Sequence, residues 1–139
     1  MGTDALQAVS DELEIRNQLA KLAHLADEGD LDDYIQLFTD DAVWDGGAFG
    51  TKTGHPEILE GAKERRAGGT SGPGANTRHV LSTIVIELAG DEARSRSVFH
   101  FYTQIHQTPQ LSIMGVYEDL FRRTSTGWKL AHRRIQRSE

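Results

Sequence analysis

The stretch "LADEGDLDDYIQLFTDDAVW", residues 25–44, carries the chain out of one helix, through a second and into a strand. It closes an apolar helical run over residues 5–28. There Ile15, Leu19, Leu22, Ala23 and Ala26 recur at three- and four-residue steps and form one stripe. Gly29 is the expected stop. Asp30 then reads as the N-cap of a short helix, "LDDYIQLF" (31–38), with Leu31, Tyr34, Leu37 and Phe38 as its inner face. "TDDA" reads as a turn, with Asp40 and Asp41 as turn residues, and "AVW" begins a short strand.

Asp27, Glu28, Asp30, Asp32 and Asp33 crowd this stretch, and the first two stand at a helix end where the macrodipole disfavours negative charge. Helical phase separates them. At about 100° per residue, Glu28 falls about 220° round from Ile15, on the wet side with Asn17 and Lys21. His24 falls on the far side as well. Asp27 falls at about 120°, on the border of the stripe beside Ala20 and Ala23. Asp30, Asp32 and Asp33 have simpler roles as cap and first-turn acids. Asp27 alone can point along the edge of the core into a cavity.

Beyond Trp44, "DGGAFGTKTG" is too glycine-rich to be regular. "HPEILEGAKERR" (55–66) reads as a third helix with Pro56 at its first position and Ile58, Leu59 and Ala62 as a modest apolar side. "AGGTSGPGAN" (67–76) is either a mobile loop or lid or a disordered connector. The second half alternates as strands do, over 77–89, 92–107, 111–124 and 128–137. Three helices followed by a four-stranded antiparallel meander, with one short strand between helices two and three, make an α+β domain with helices on one sheet face. The whole chain, 1–139, is expected to be one domain.

Period-two alternation sorts the strand side chains. His79, Leu81, Thr83 and Val85 share a face with Thr77, and Ser97, Phe99 and Phe101 share one with Ser95 and Ala93. Tyr117, Asp119 and Phe121 fall together on the third strand. A face holding His79, Ser97, Tyr117 and Asp119 among apolar residues is a pocket with a few convergent polar groups. The opposite face, with Val80, Ile84, Ile86, Arg94, Arg96 and Tyr102, is the expected surface for a homo-oligomer, dimer or trimer. Arg133 raises a parity problem: Trp128, Leu130 and His132 alternate on one face, so Arg133 joins it only if a bulge intervenes. Asp119 can pair with Arg133 or Arg123 purely as structure.

Composition narrows the classes. Hydrophobic residues make up 37% of the chain and charged residues 26%, ordinary values for a soluble domain. With no cysteine, disulfides, thiolate nucleophiles and Cys-based zinc sites are excluded. The net charge of −6 argues against nucleic acid or an anionic membrane as partner. No apolar run is long enough to span a membrane, and "MGTDALQAVSDELE" lacks a signal peptide pattern, so the expected location is cytoplasmic. His100 and His106 lack a clear third ligand, and neither a metal nor a cofactor is expected.

The 25–44 block, the Gly and Ile of "GHPEIL", "TRHVL", "GVYEDLFRR" and "GWKLAHRRI" follow in an order that resembles the SnoaL-like branch of the NTF2-like superfamily, over roughly residues 8–137. The resemblance implies a cone-shaped α+β barrel, a strongly curved sheet wrapped round the helices with a deep apolar pocket. Members include dehydratases of the scytalone type, a hexachlorocyclohexane dehydrochlorinase, polyketide cyclases, isomerases and many non-enzymes, so fold does not settle function. It implies an Asp–His dyad at Asp27 and His79, with Arg133 in the place of an arginine that helps bind a leaving group and Trp44 in that of a pocket tryptophan. Where members carry a pocket lysine, a second histidine, a tyrosine and an asparagine, this chain has Leu22, Ser97, Ala26 and Tyr117.

In that arrangement His79 is the general base and Asp27 the group that holds its tautomer. The expected reaction is removal of a carbon-acid proton from a small hydrophobic or aromatic substrate, by a lyase or isomerase, with Tyr117, Ser97 or Arg133 stabilising developing charge. Phe99, Trp44 and Asp119 complete the expected binding wall. A polyketide-type cyclase and a non-catalytic binding module are the alternatives.

Overall fold

The structure, a computed structural model, describes residues 3–137. The first helix, α1, spans Thr3–Glu28 and buries Ile15, Leu19 and Leu22 against the sheet. Fully burying such a side chain stabilises the fold by about 1.5–3 kcal/mol each. Gly29 ends the helix without a positive φ; its missing Cβ leaves room for Leu25.

The second helix, α2, is Leu31–Ile35, three residues shorter than the sequence pattern indicates. Asp30 caps it, its side chain accepting the Asp32 N–H at 2.7 Å. The chain leaves the helix early because Leu37 and Phe38 are taken into sheet pairing. The Leu130 N–H donates to the Leu37 carbonyl at 2.8 Å, and Phe38 opens strand β1 (Phe38–Asp45) opposite Leu130. The expected "TDDA" turn is therefore strand. Its turn chemistry survives as a register shift between Phe38 and Val43, where Asp40 and Asp41 project into solvent and Thr39 donates to Asp41 at 2.9 Å.

The glycine-rich stretch contains a single 3₁₀ turn, Gly47–Phe49, and a short strand, β2 (Thr51–Thr53), antiparallel to β1. Helix α3 (Gly54–Ala67) starts before Pro56, with Thr53 at its N-cap. Four long strands follow: β3 (Arg78–Ala89), β4 (Glu92–Thr103), β5 (Gln110–Thr124) and β6 (Gly127–Arg137). Strand β4 ends at Thr103, so His106 lies outside it, in a turn. The sheet order is β2-β1-β6-β5-β4-β3, antiparallel except for the β1–β6 pair. The meander thus gains a parallel edge, and the helices pack in the sheet's hollow. Phe38, Phe121, Trp128 and Leu130 meet α1 there.

Of the sheet's register shifts, two reset the alternation read for β3 and β6. In β3 the register against β4 shifts between Ser82 and Val85, with Thr83 at a φ of 54°. Ile84 and Ile86 thereby turn onto the core while Val85 is 57% exposed, which corrects the outer face read from strict alternation. In β6, Leu130 pairs with Phe121 and His132 with Leu120, leaving Ala131 as the extra residue. That bulge brings Arg133 to the inner face. No helix of the described residues is long and apolar enough to cross a membrane.

Candidate active site

The hollow between α1, α3 and the sheet is an open cavity of about 430 Å³. Leu19, Leu22, Ala23 and Ala26 of α1 supply the apolar side, and the small alanines keep it open. Phe99 and Phe101 of β4 face them. The Phe99 ring covers Gly115, its partner across the sheet, and stacks on Tyr117 with centroids 4.5 Å apart.

His79, early in β3, presents its ring to the cavity and packs against Phe101 at 4.7 Å. Asp27, from the last turn of α1, lies beneath it and is 3% exposed. Its Oδ1 is 2.6 Å from His79 Nδ1 and its Oδ2 accepts the His79 backbone N–H at 2.8 Å. A carboxylate on Nδ1 selects the tautomer with hydrogen there, which leaves Nε2 as an acceptor for a ligand. The helix end that carries Asp27 is offset by Arg66, whose Nη2 donates to the carbonyls of Leu25 at 2.8 Å and Gly29 at 2.6 Å. Within the stretch 67–76, read as lid or connector, Ser71 and Gly72 are packed against the cavity wall while Ala67–Thr70, Pro73 and Gly74 are exposed. Ser71 and Thr77 are buried, Thr77 donates to the Thr70 carbonyl at 3.0 Å, and Gly72 seats against the Arg66 side chain at a φ of 101°.

Across the cavity Arg133 is buried and bound twice by Asp119, Nε to Oδ1 at 2.9 Å and Nη2 to Oδ2 at 3.0 Å. Its guanidinium also lies 3.8 Å from the centre of the Tyr117 ring. Burial works against the Arg133 charge, but Asp119 beside it more than offsets this, and the guanidinium stays charged. Burial pushes the Asp119 carboxyl up and Arg133 pulls it back. Burial raises the Tyr117 phenol to about 12 despite Arg133, so it is a neutral O–H donor at ordinary pH.

Of the residues singled out in the sequence, His79, Trp44, Phe99, Tyr117 and Arg133 line the cavity. Asp27 reaches it only through His79. Ser97 and Asp119 do not line it. Ser97 is fully buried opposite Tyr117 with its Oγ unpartnered, and Asp119 is occupied by Arg133. Tyr34, read as core-facing, lines the cavity as well, and so do Lys52 and Arg65, which the sequence reading left unassigned. The tyrosine pattern carried no signal for this. Lys52 sits where the glycines hid a strand. Among the described residues no group of three or more His, Cys, Asp or Glu is placed to hold a metal ion.

Comparison with known proteins agrees with this fold. The model of the SnoaL-like domain matches residues 7–134. The uncharacterized protein Rv2910c of Mycobacterium tuberculosis is 30% identical over 128 residues, which cover 90% of this chain and 84% of that one. The crystal structure of an NTF2-like protein with a cystatin-like fold from Novosphingobium aromaticivorans superposes with a TM-score of 0.84 at 25% identity, covering 95% of this chain and 84% of the other. A candidate scytalone dehydratase from the same organism superposes with a TM-score of 0.75 at 18% identity, covering 95% and 87%, a likeness of fold. The expected curved α+β architecture is the one observed.

Proposed function

This chain belongs to the SnoaL-like domain family, and on that premise we propose that it is a cofactor-independent lyase of the dehydratase type, or an isomerase, acting on a small, largely apolar molecule. The observation that carries the reading is Asp27 bonded to both the ring and the backbone of His79 at 2.6 and 2.8 Å, beside an open cavity.

Neutral His79 donates Nδ1–H to Asp27 and offers the lone pair of Nε2. That nitrogen takes a proton from a carbon next to an electron-withdrawing group. The C–H bonding pair becomes the new C=C bond, and a β-hydroxyl leaves with its own pair, taking the proton from the imidazolium to depart as water. In an isomerase the proton returns to another carbon and nothing leaves. Asp27 remains ionised and stabilises the imidazolium. Tyr117 donates its O–H to the oxygen on which charge develops, and Arg133 faces the departing group through Nη1. A positioned base contributes about 10²–10⁴-fold, and the walls supply the rest by orientation.

The cavity volume of about 430 Å³ favours a one- or two-ring substrate over the larger polycycles of a cyclase. A non-catalytic module calls for a filled pocket or a parted dyad; the contact and the opening count against it. The test is His79→Ala. Turnover of the compound that the wild type converts should vanish while the thermal melt is retained, and unchanged turnover would overturn the reading.

A further inference from the structure

Helix α3 and strand β2 bring two cations to the cavity wall that the proton chemistry does not use. Lys52 and Arg65 both line the cavity. They converge on Gly61: a Cβ built there would lie 3.4 Å from Arg65 Nη1 and 3.4 Å from Lys52 Cε. Arg65 is held in place by Trp44, its guanidinium 4.9 Å from the ring centre. No carboxylate of the described residues lies within 4.0 Å of either cationic group. Two like charges on one wall with no carboxylate in ion-pair contact repel each other, unless an anion joins them.

The neighbouring cations differ. Arg66 is committed to the carbonyls at the end of α1, and Arg133 is neutralised by Asp119. Glu64 lines the same wall as the converging pair, so the local sum is one positive charge, which suits a monoanion. His79, with Asp27 beneath it, stands on β3 at the opposite edge of the sheet from β2, and that carboxylate repels an anion and favours an uncharged reacting carbon. A planar guanidinium beside an ammonium binds a carboxylate well.

We propose that Lys52 and Arg65 bind a carboxylate on the substrate, so that the substrate class is an amphipathic carboxylic acid with its acid group at Gly61 and its apolar, reacting part against His79. This rests on the reading of the cavity as the substrate site, but not on the chemistry assigned to His79.

The test is calorimetric titration of the full chain with naphthalene-2-carboxylate, its carboxamide and 2-naphthyl phosphate. The carboxylate should bind about tenfold more tightly than the amide, the worth of one charge-assisted contact. The ratio should fall to about one in Lys52→Met/Arg65→Met. It should persist in His79→Ala, so a failure of the base assignment leaves the binding result intact. Arg65→Lys should keep part of the preference, and a thermal melt checks that each variant folds. Equal binding of acid and amide, a preference that survives loss of both cations, or no saturable binding by either overturns the proposal. Tighter binding of the phosphate than the carboxylate overturns the monoanion assignment.

Discussion

Asp27 holds His79 at two points, with one carboxylate oxygen 2.6 Å from the ring nitrogen Nδ1 and the other 2.8 Å from the backbone N–H. The second bond fixes where β3 passes α1, and the first fixes which face of the imidazole is basic. Asp27→Asn separates the two. An amide has one acceptor oxygen, and if the backbone N–H keeps it, the amide NH₂ faces Nδ1. The ring proton then moves to Nε2 and the base is lost. We expect kcat to fall by about 10²–10⁴-fold with little change in KM or melting temperature. Nitrogen NMR of the histidine should show hydrogen on Nδ1 in the wild type and on Nε2 in the variant. An unaltered tautomer in the variant would contradict the assignment.

Arg133 and Asp119 are a buried pair with two parallel hydrogen bonds. Removing one partner strands the other charge away from water. Asp119→Ala should therefore cost about 3–5 kcal/mol of stability in urea denaturation. The double replacement Asp119→Leu/Arg133→Met removes both charges and should recover most of that loss, because a filled apolar pair is often no worse than a buried ion pair. If the double variant is as unstable as the single one, the pair is doing more than cancelling its own charges.

Asp11 governs the acid limb of stability at the other end of the sheet. It accepts two hydrogen bonds from Arg123, at 2.9 and 2.8 Å, and one from the Trp128 indole at 3.0 Å. Arg123 holds its carboxyl well below the ordinary value of 3.8. A carboxylate depressed in the folded state stabilises the fold above its unfolded pKa, and that contribution is lost as pH falls below it. Asp119, raised by burial, works in the opposite direction, and above 3.8 rather than below it. The comparison between wild type and Asp11→Asn isolates the first term. Their difference in melting temperature should be large and steady down to about pH 4 and shrink only as the pH falls further.

The helices were legible because each rests on a local period, whereas the pairing of Asp27 with His79 was implied only by the family resemblance. Ile15, Leu19 and Leu22 form the buried stripe, and the same 100° step left Asp27 on its border while Glu28 and His24 are exposed. The strand faces were legible only until the first irregularity. Strict alternation put Ile84 and Ile86 outside, and a single extra residue at Thr83 reverses them. Ala131 does the same for Arg133, where the parity problem was visible but its resolution was not. Composition misled at "TDDA" and around Lys52, because strand pairing overrides turn preference when a neighbouring strand supplies the hydrogen bonds. The convergence of Lys52 and Arg65 joins two elements whose packing no local pattern reports.

Thr83 supplies a test of the bulge that sets this inner face. It is β-branched and sits at a φ of 54°, a region that disfavours such a residue by about 1–2 kcal/mol. It is exposed, so little packing compensates. Glycine carries no Cβ and relieves that conflict, while its greater freedom in the unfolded chain takes back about 0.5–1 kcal/mol. Thr83→Gly should therefore stabilise the protein by up to about 1 kcal/mol in denaturant titration. The same change at Ser82, which does not have a positive φ, should destabilise it by about 0.5–1 kcal/mol. Loss of stability in Thr83→Gly comparable to that at Ser82 would mean that the chain does not take the left-handed conformation there, and that Ile84 and Ile86 reach the core by another route.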